Sequence, residues 1–179
     1  MLDVKPVQRE PRVLIAHPKG TSAGELASLA RASRHLHRPW VYLHPDARRW
    51  RTYLERCREG AVLGYLLRDQ ATRELVGVIN LNEVVRGVFQ SAYLGFYVHA
   101  AHAQRGVMTA GLRQVLKRAF TVHRLHRLEA NIQPDNTASR RLVQRLGFRQ
   151  EGLSPRYLKI GGRWRDHERW ALTREDWHA

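Results

Sequence analysis

Apolar residues change their spacing along the chain, and the changes mark out a succession of elements. Arg12-Val-Leu-Ile-Ala16 reads as a short first strand. Leu26, Leu29, Ala30 and Leu36 recur at near-helical spacing, which predicts a helix over Ser22 to Leu36 that stops ahead of Pro39. Asp46 is placed to cap a second helix, with Trp50, Tyr53, Leu54 and Cys57 along one side and Gly60 as its stop. The pattern then turns to strands: Val62 to Arg68, Leu75 to Leu81 and Ala92 to Val98, with Gly87 in the last turn between them.

From Gly106 the helical period returns, and Met108, Leu112, Val115, Leu116 and Ala119 form one apolar stripe. Arg127 to Ile132 is a strand. Asp135-Asn136 can cap a further helix with Ala138, Leu142, Val143 and Leu146 facing inward and Gly147 at its end. Two final strands are joined by Gly161-Gly162, whose freedom at positive φ suits a two-residue hairpin turn. The predicted order is β-αα-βββ-α-β-α-ββ, and the βαβ unit from Ala92 to Ile132 makes its two strands parallel. A mixed α/β sheet follows. Its site is expected beyond the carboxyl end of the first parallel strand, where the next helix begins.

Composition sets limits on this picture. The chain has 179 residues, 43% apolar and 26% charged, which fits a single globular domain over 1–179 and not a disordered or fibrous class. Cys57 is the only cysteine, so an intrachain disulfide and a multi-cysteine zinc site are excluded. Met1 to Arg12 has no apolar stretch like a signal peptide, and the longest apolar run, Ala61 to Leu67, is far below the ~20 residues of a spanning helix. A soluble, cytoplasmic protein with no membrane partner is expected.

The 31 basic residues, 27 of them arginines, stand against 16 acidic ones and give a net charge of +15. That excess fits either Arg-biased composition or an anionic partner such as RNA, a ribosome or a phosphorylated ligand, and charge alone does not choose. Among the ten histidines, His35 and His37 diverge on a helix, and His123 and His126 share a helical face without a third ligand nearby. No metal is expected.

Two segments carry candidate chemistry. In His102-Ala-Gln-Arg-Gly-Val-Met-Thr109 a strand feeds a helix whose first amides, those of Val107, Met108 and Thr109, lack intrahelical partners. With the positive end of the helix dipole they make an anion site; Gly106 allows close approach to the backbone and Arg105 adds charge. The other reading is a plain loop that needs one glycine. The second segment runs from Glu129-Ala-Asn131 through Asn136-Thr-Ala-Ser139 to Leu146-Gly-Phe148. Asn136 and Ser139, three apart, share one edge of a helical turn near the end of the strand holding Asn131. The other reading there is ordinary capping.

Together these stretches resemble the GNAT acetyltransferases, over nearly the whole chain. Within that superfamily the sequence is similar to the RimJ/RimL group, which acetylates the N-termini of ribosomal proteins, and most to its RimJ branch. The resemblance is carried further by Asn82-Glu-Val-Val-Arg-Gly87, Tyr93-Leu-Gly95, Gly147-Phe-Arg-Gln-Glu-Gly152, Gly162-Arg-Trp-Arg-Asp-His167 and Leu36-His-Arg-Pro-Trp40. It implies a mixed central sheet with a splayed parallel strand pair flanked by helices, and acetyl-CoA as the donor substrate.

Gly106 falls on the first glycine of the family's pyrophosphate loop, Q/R-x-x-G-x-G/A. Ala103 stands at its Gln/Arg position and Met108 at its final Gly/Ala, with Gln104 and Arg105 as neighbours that can replace the missing contact. The resemblance implies that Phe96, Tyr97 and Val98 pair with the pantetheine arm like a strand. It also places Asn131 and Asn136 beside the donor and Ser139 near the sulfur, where it protonates the leaving thiolate. A backbone amide near Tyr97 or Val98 would steady the oxyanion.

The implied reaction is direct attack of a neutral amine on the thioester. An α-amine, with pKa ~7.7–8.0, is already partly neutral at pH 7, so a modest base suffices. Glu83, next to the acceptor-shaping segment 84–90, is the carboxylate assigned to that side; Glu151, Asp166 and Glu168 are the others. Trp40 and Arg86 are assigned to the acceptor site. The acceptor is a protein N-terminus, with ribosome association open, or a small amine such as an amino acid conjugate or antibiotic. A ribosome- or nucleic-acid-binding protein with degenerate catalysis is the reading from another class. Monomer and homodimer both stay open.

Overall fold

A computed structural model describes residues 11–178, so most of the charged stretch from Met1 lies outside the described residues. Seven strands form one sheet: β1 (Val13–Ala16), β2 (Val62–Asp69), β3 (Leu75–Val85), β4 (Ser91–Val98), β5 (Arg127–Ile132), β6 (Arg149–Ile160) and β7 (Arg163–Thr173). Their order is β1-β2-β3-β4-β5-β7-β6. Only the β4–β5 neighbours are parallel; every other pair is antiparallel. This is the mixed α/β sheet that the βαβ reading requires.

Helices α1 (Ala23–Ala32), α2 (Arg34–His37) and α3 (Ala47–Arg58) precede β2; α4 (Val107–Thr121) and α5 (Thr137–Arg145) flank β5 in sequence. Leu112, Val115, Leu116 and Ala119 of α4 are buried against one face of the sheet, with Leu142 and Val143 of α5. Each such side chain is worth about 1.5–3 kcal/mol of burial. Gly111 is required in that packing, since a Cβ there would come within 2.5 Å of Leu67 on β2. On the opposite face α1 and α3 bury Leu26, Leu29, Ala30 and Trp50 against Leu66, Val78 and Tyr97.

Four expectations change. The helix predicted over Ser22 to Leu36 starts after its Ser22 cap and breaks at Ser33, whose hydroxyl, fully buried, accepts from Ala100 N at 2.9 Å. Strand β3 runs past Leu81 to Val85 through a register shift against β4. Ala138 is exposed, because α5 spans nine residues and turns only Leu142 and Val143 fully inward. His123 and His126 lie beyond the end of α4 and part: His123 hydrogen-bonds Tyr65, and His126 pairs with Glu175 at 3.0 Å. No described helix is long and apolar enough to cross a membrane.

Candidate active site

The two parallel strands pair at only three positions, Ser91↔Arg127, Ala92↔Leu128 and Tyr93↔Glu129. Past Tyr93 they part, while β4 stays on β3 as far as Val98 and β5 stays on β7 as far as Ile132. Antiparallel bonding alternates, and His99 N donates to Val76 O at 2.8 Å. The backbone groups of Tyr97 therefore face β3, and those of Phe96 and Val98 face the gap. The strand-like pairing implied for 96–98 has its open edge at Phe96 and Val98. The Tyr97 amide belongs to the ladder, and the Tyr97 side chain is buried under α1 and α3.

One segment spans the mouth of this gap. His37, on α2, donates from Nε2 to Val98 O at 2.8 Å, and Gln133, just past β5, donates to Trp40 O at 3.0 Å. Burial lowers the His37 pKa despite the carbonyl it bonds, and neighbouring His35 lowers it further. Trp40, half-buried, is thus tied through its carbonyl to the end of β5.

Beyond β4 the chain makes a 3-10 turn, Ala100–His102, and reaches Gly106, which caps α4 with φ +76. A side chain is disfavoured there on two grounds: the left-handed backbone, and Pro11, 3.3 Å from where a Cβ would lie. Among the described residues no side chain caps the helix, and its first amides have no intrahelical partner. Val107 and Met108 are buried in the core, leaving only their amides for an anion, while Gln104 and Arg105 are exposed and Thr109 is half-buried.

On the other strand Asn131 Oδ1 is buried with no hydrogen-bond partner among the described residues. An acceptor so placed costs about 1–3 kcal/mol unless a donor arrives. Asn136 caps α5 through its side-chain oxygen, which takes Ser139 N at 3.1 Å. Ser139 is half-buried. These residues fit a donor with an anionic end and amide groups: the α4 N-terminus at Gly106, the strand edge at Phe96 and the Val98 amide, and an unmet acceptor at Asn131.

Beside the gap β5 presents a polar face. Arg127 and Glu129 alternate along β5 with buried Leu128 and Ala130, and Asn131 and Gln133 continue the polar side. Glu129 accepts from Arg127 at 2.8 Å and from Arg169 at 2.7 Å. Burial raises the Glu129 carboxyl, but the two guanidiniums outweigh it and hold the pKa below the ordinary value. Tyr157 on β6 bonds Tyr93 on β4 at 3.4 Å, and this hydrogen bond, with burial, pushes the Tyr93 pKa up to about 12.

The other carboxylates are less available. Glu168 holds Arg140 at 2.8 Å and Trp170 Nε1 at 3.0 Å; Asp166 accepts Arg156 N at 2.7 Å; Glu151 binds Arg127 and Arg149. Glu83 is exposed with φ +47, inside the register shift between Asn82 and Val85. Asn82 lies opposite Tyr93, three residues short of Phe96, so Glu83 is about 10 Å down the strand from the open edge. Arg86 is exposed and donates to His123 O. The structure brings Phe96, Val98, Asn131, Asn136, Ser139 and Trp40 to the open end and leaves Glu83 and Arg86 at the closed one. Sequence reading missed the Glu129–Arg169 pair and Gln133, although the every-second-residue polarity of 127–133 marks that face.

A family model described as an acetyltransferase (GNAT) domain matches residues 12–149. The chain is 32% identical over 174 residues to the ribosomal protein uS5-alanine N-acetyltransferase of Escherichia coli (strain K12), covering 93% of this chain and 90% of that one. Among solved structures, Mycobacterium smegmatis RimJ in complex with CoA-disulfide aligns with a TM-score of 0.83 at 30% identity, over 91% of this chain and 82% of that chain. A spermidine N-acetyltransferase from Vibrio cholerae in complex with CoA and spermine shares the fold at 18% identity, TM-score 0.78, over 92% and 96% of the two chains.

Proposed function

The chain belongs to the GNAT acetyltransferase family, and from that premise we propose that it transfers acetyl from acetyl-CoA to the N-terminal α-amine of a protein, with ribosomal proteins the first candidates. The observation that carries this reading is the extent of the similarity. The alignment with the uS5-alanine acetyltransferase takes in 93% of the chain, so it includes the acceptor-shaping segments 36–42 and 84–90 as well as the donor half.

Charge supports the same choice. A polyamine needs free carboxylates, yet Glu129, the carboxylate on the polar face of β5, is neutralised by Arg127 and Arg169. A net charge of +15 repels a polycation and suits a substrate on or near ribosomal RNA. In this reading the α4 N-terminus takes the phosphates, the edge at Phe96 and Val98 takes the pantetheine amides, and Ser139 protonates the departing sulfur.

The test is acetyl-CoA with a panel of peptides differing in their first residue, and spermidine as the competing amine. Acetyl on a peptide α-amine, located by mass spectrometry, is the expected result; acetyl only on spermidine overturns it. Co-sedimentation with ribosomes at low and high salt tests the ribosomal partner, whose binding falls steeply as salt rises.

A further inference from the structure

His167 lies on β7 at 3% exposure, a charge-capable ring inside the polar face that no part of the reading above uses. Its Nδ1 is 2.9 Å from Arg165 O. A carbonyl only accepts, so Nδ1 carries the hydrogen, and in the neutral ring Nε2 is left with a bare lone pair. Among the described residues Nε2 has no protein partner, and it is not among the fully buried unpartnered atoms. The ring packs on Tyr157, centroids 6.0 Å apart, two residues along β7 from Arg169. Arg169 pairs with Asn131 in the β5–β7 ladder, and that register carries His167 level with Gln133, which holds Trp40 O. His167 therefore stands level with the open end of the gap, on the same sheet face as Glu129 and Arg169.

We propose that His167 Nε2 takes the proton of the attacking amine, directly or through one water, an inference that rests on the acetyl-transfer reading above. The amine nitrogen bonds to the acetyl carbonyl carbon and gives one N–H proton to Nε2. The carbon–sulfur bond breaks with its electron pair on sulfur, which takes a proton through Ser139, itself reprotonated by water. The imidazolium then loses its proton to solvent, so overall one proton passes from nitrogen to sulfur.

The surroundings favour the neutral ring. Desolvation lowers the His167 pKa, against the raising effects of the Arg165 carbonyl and Asp166. Beside it stand Arg165 and Asp166 on β7 and Tyr157 on β6; Arg169 lies over the Tyr157 ring and holds Glu129 on β5, and Tyr157 bonds Tyr93 on β4. A base so placed stays neutral down to a pH below the ordinary value of about 6.5, and turnover falls only as pH drops through that lowered value.

The test measures kcat and KM from pH 5 to 9 with acetyl-CoA and a peptide that the wild type acetylates, for wild type and His167→Asn. Asparagine keeps an N–H where Nδ1–H stood but has no basic nitrogen. The expected result is a loss of kcat of about 100-fold, an acetyl-CoA KM within twofold, an unchanged melting curve, loss of the acidic limb and partial rescue by added imidazole. H167N with wild-type turnover, or with a reduced rate but the same acidic limb, overturns the proposal. Should H167N not fold, His167→Gln is measured in its place, and wild-type turnover in that variant overturns the proposal. A wild type that acetylates no peptide amine overturns the transfer reading itself, and is seen before any variant is compared.

Discussion

The two faces of β5 differ more than any two helices of the molecule. Leu128, Ala130 and Ile132 lie in the continuous core under α4 and α5. Their neighbours Arg127, Glu129 and Asn131 form a polar face tied by hydrogen bonds to β6 and β7. One residue of spacing separates a surface that stabilises the fold from one that is arranged for a ligand. A strand held on both faces can carry both tasks, because pleating sends successive side chains to opposite sides.

The strongest way to break the comparison is Leu128→Ala. Leu128 is fully buried, and its truncation is expected to cost about 2–5 kcal/mol in urea unfolding while leaving the turnover of the folded fraction unchanged. A fall in turnover per folded molecule would mean that the two faces are not separable.

Glu129→Gln addresses the polar face and is expected to cost about 3 kcal/mol, since Arg127 and Arg169 lose a buried counter-charge. It also predicts a pH dependence. The folded-state pKa of Glu129 lies below its unfolded value, so its contribution is present above the unfolded value of about 4.3 and is lost as pH falls through the folded one. Urea unfolding between pH 6 and pH 3 is expected to show a smaller loss of stability in E129Q than in the wild type.

Ser139→Ala sharpens the comparison with the smallest change. A kcat lowered by roughly tenfold, about 1.4 kcal/mol, with little change in acetyl-CoA KM is the expected signature of lost thiolate protonation. Equal turnover in wild type and variant would remove Ser139 from the chemistry, leaving its backbone N–H as a ligand of the Asn136 cap.

The apolar face was legible because burial imposes a period. The α4 stripe from Met108 to Ala119 and the parallel βαβ unit both follow from spacing alone. The polar face was less so, for its partners are far apart in sequence: Glu129 and Arg169 are 40 residues apart, and Ser33 and Ala100 are 67 apart. No local pattern announces that a serine will leave its helix to bond a distant amide. The loop at Gly106 and the Asn136–Ser139 turn, both local patterns, lie where the spacing put them, at the starts of α4 and α5. Glu83 lies at the closed end of the gap, a place set by a register shift that neighbouring residues do not encode.

The bridge from Ser33 to Trp40 fastens to β4 through Val98 and Ala100 and to β5 through Gln133. It is a strut between the two strand ends, so the width of the gap depends on three hydrogen bonds made by residues outside the sheet. Any coupling that it carried between ligands at the two strand ends would have to be reciprocal: whatever factor one adds to the affinity of the other is returned.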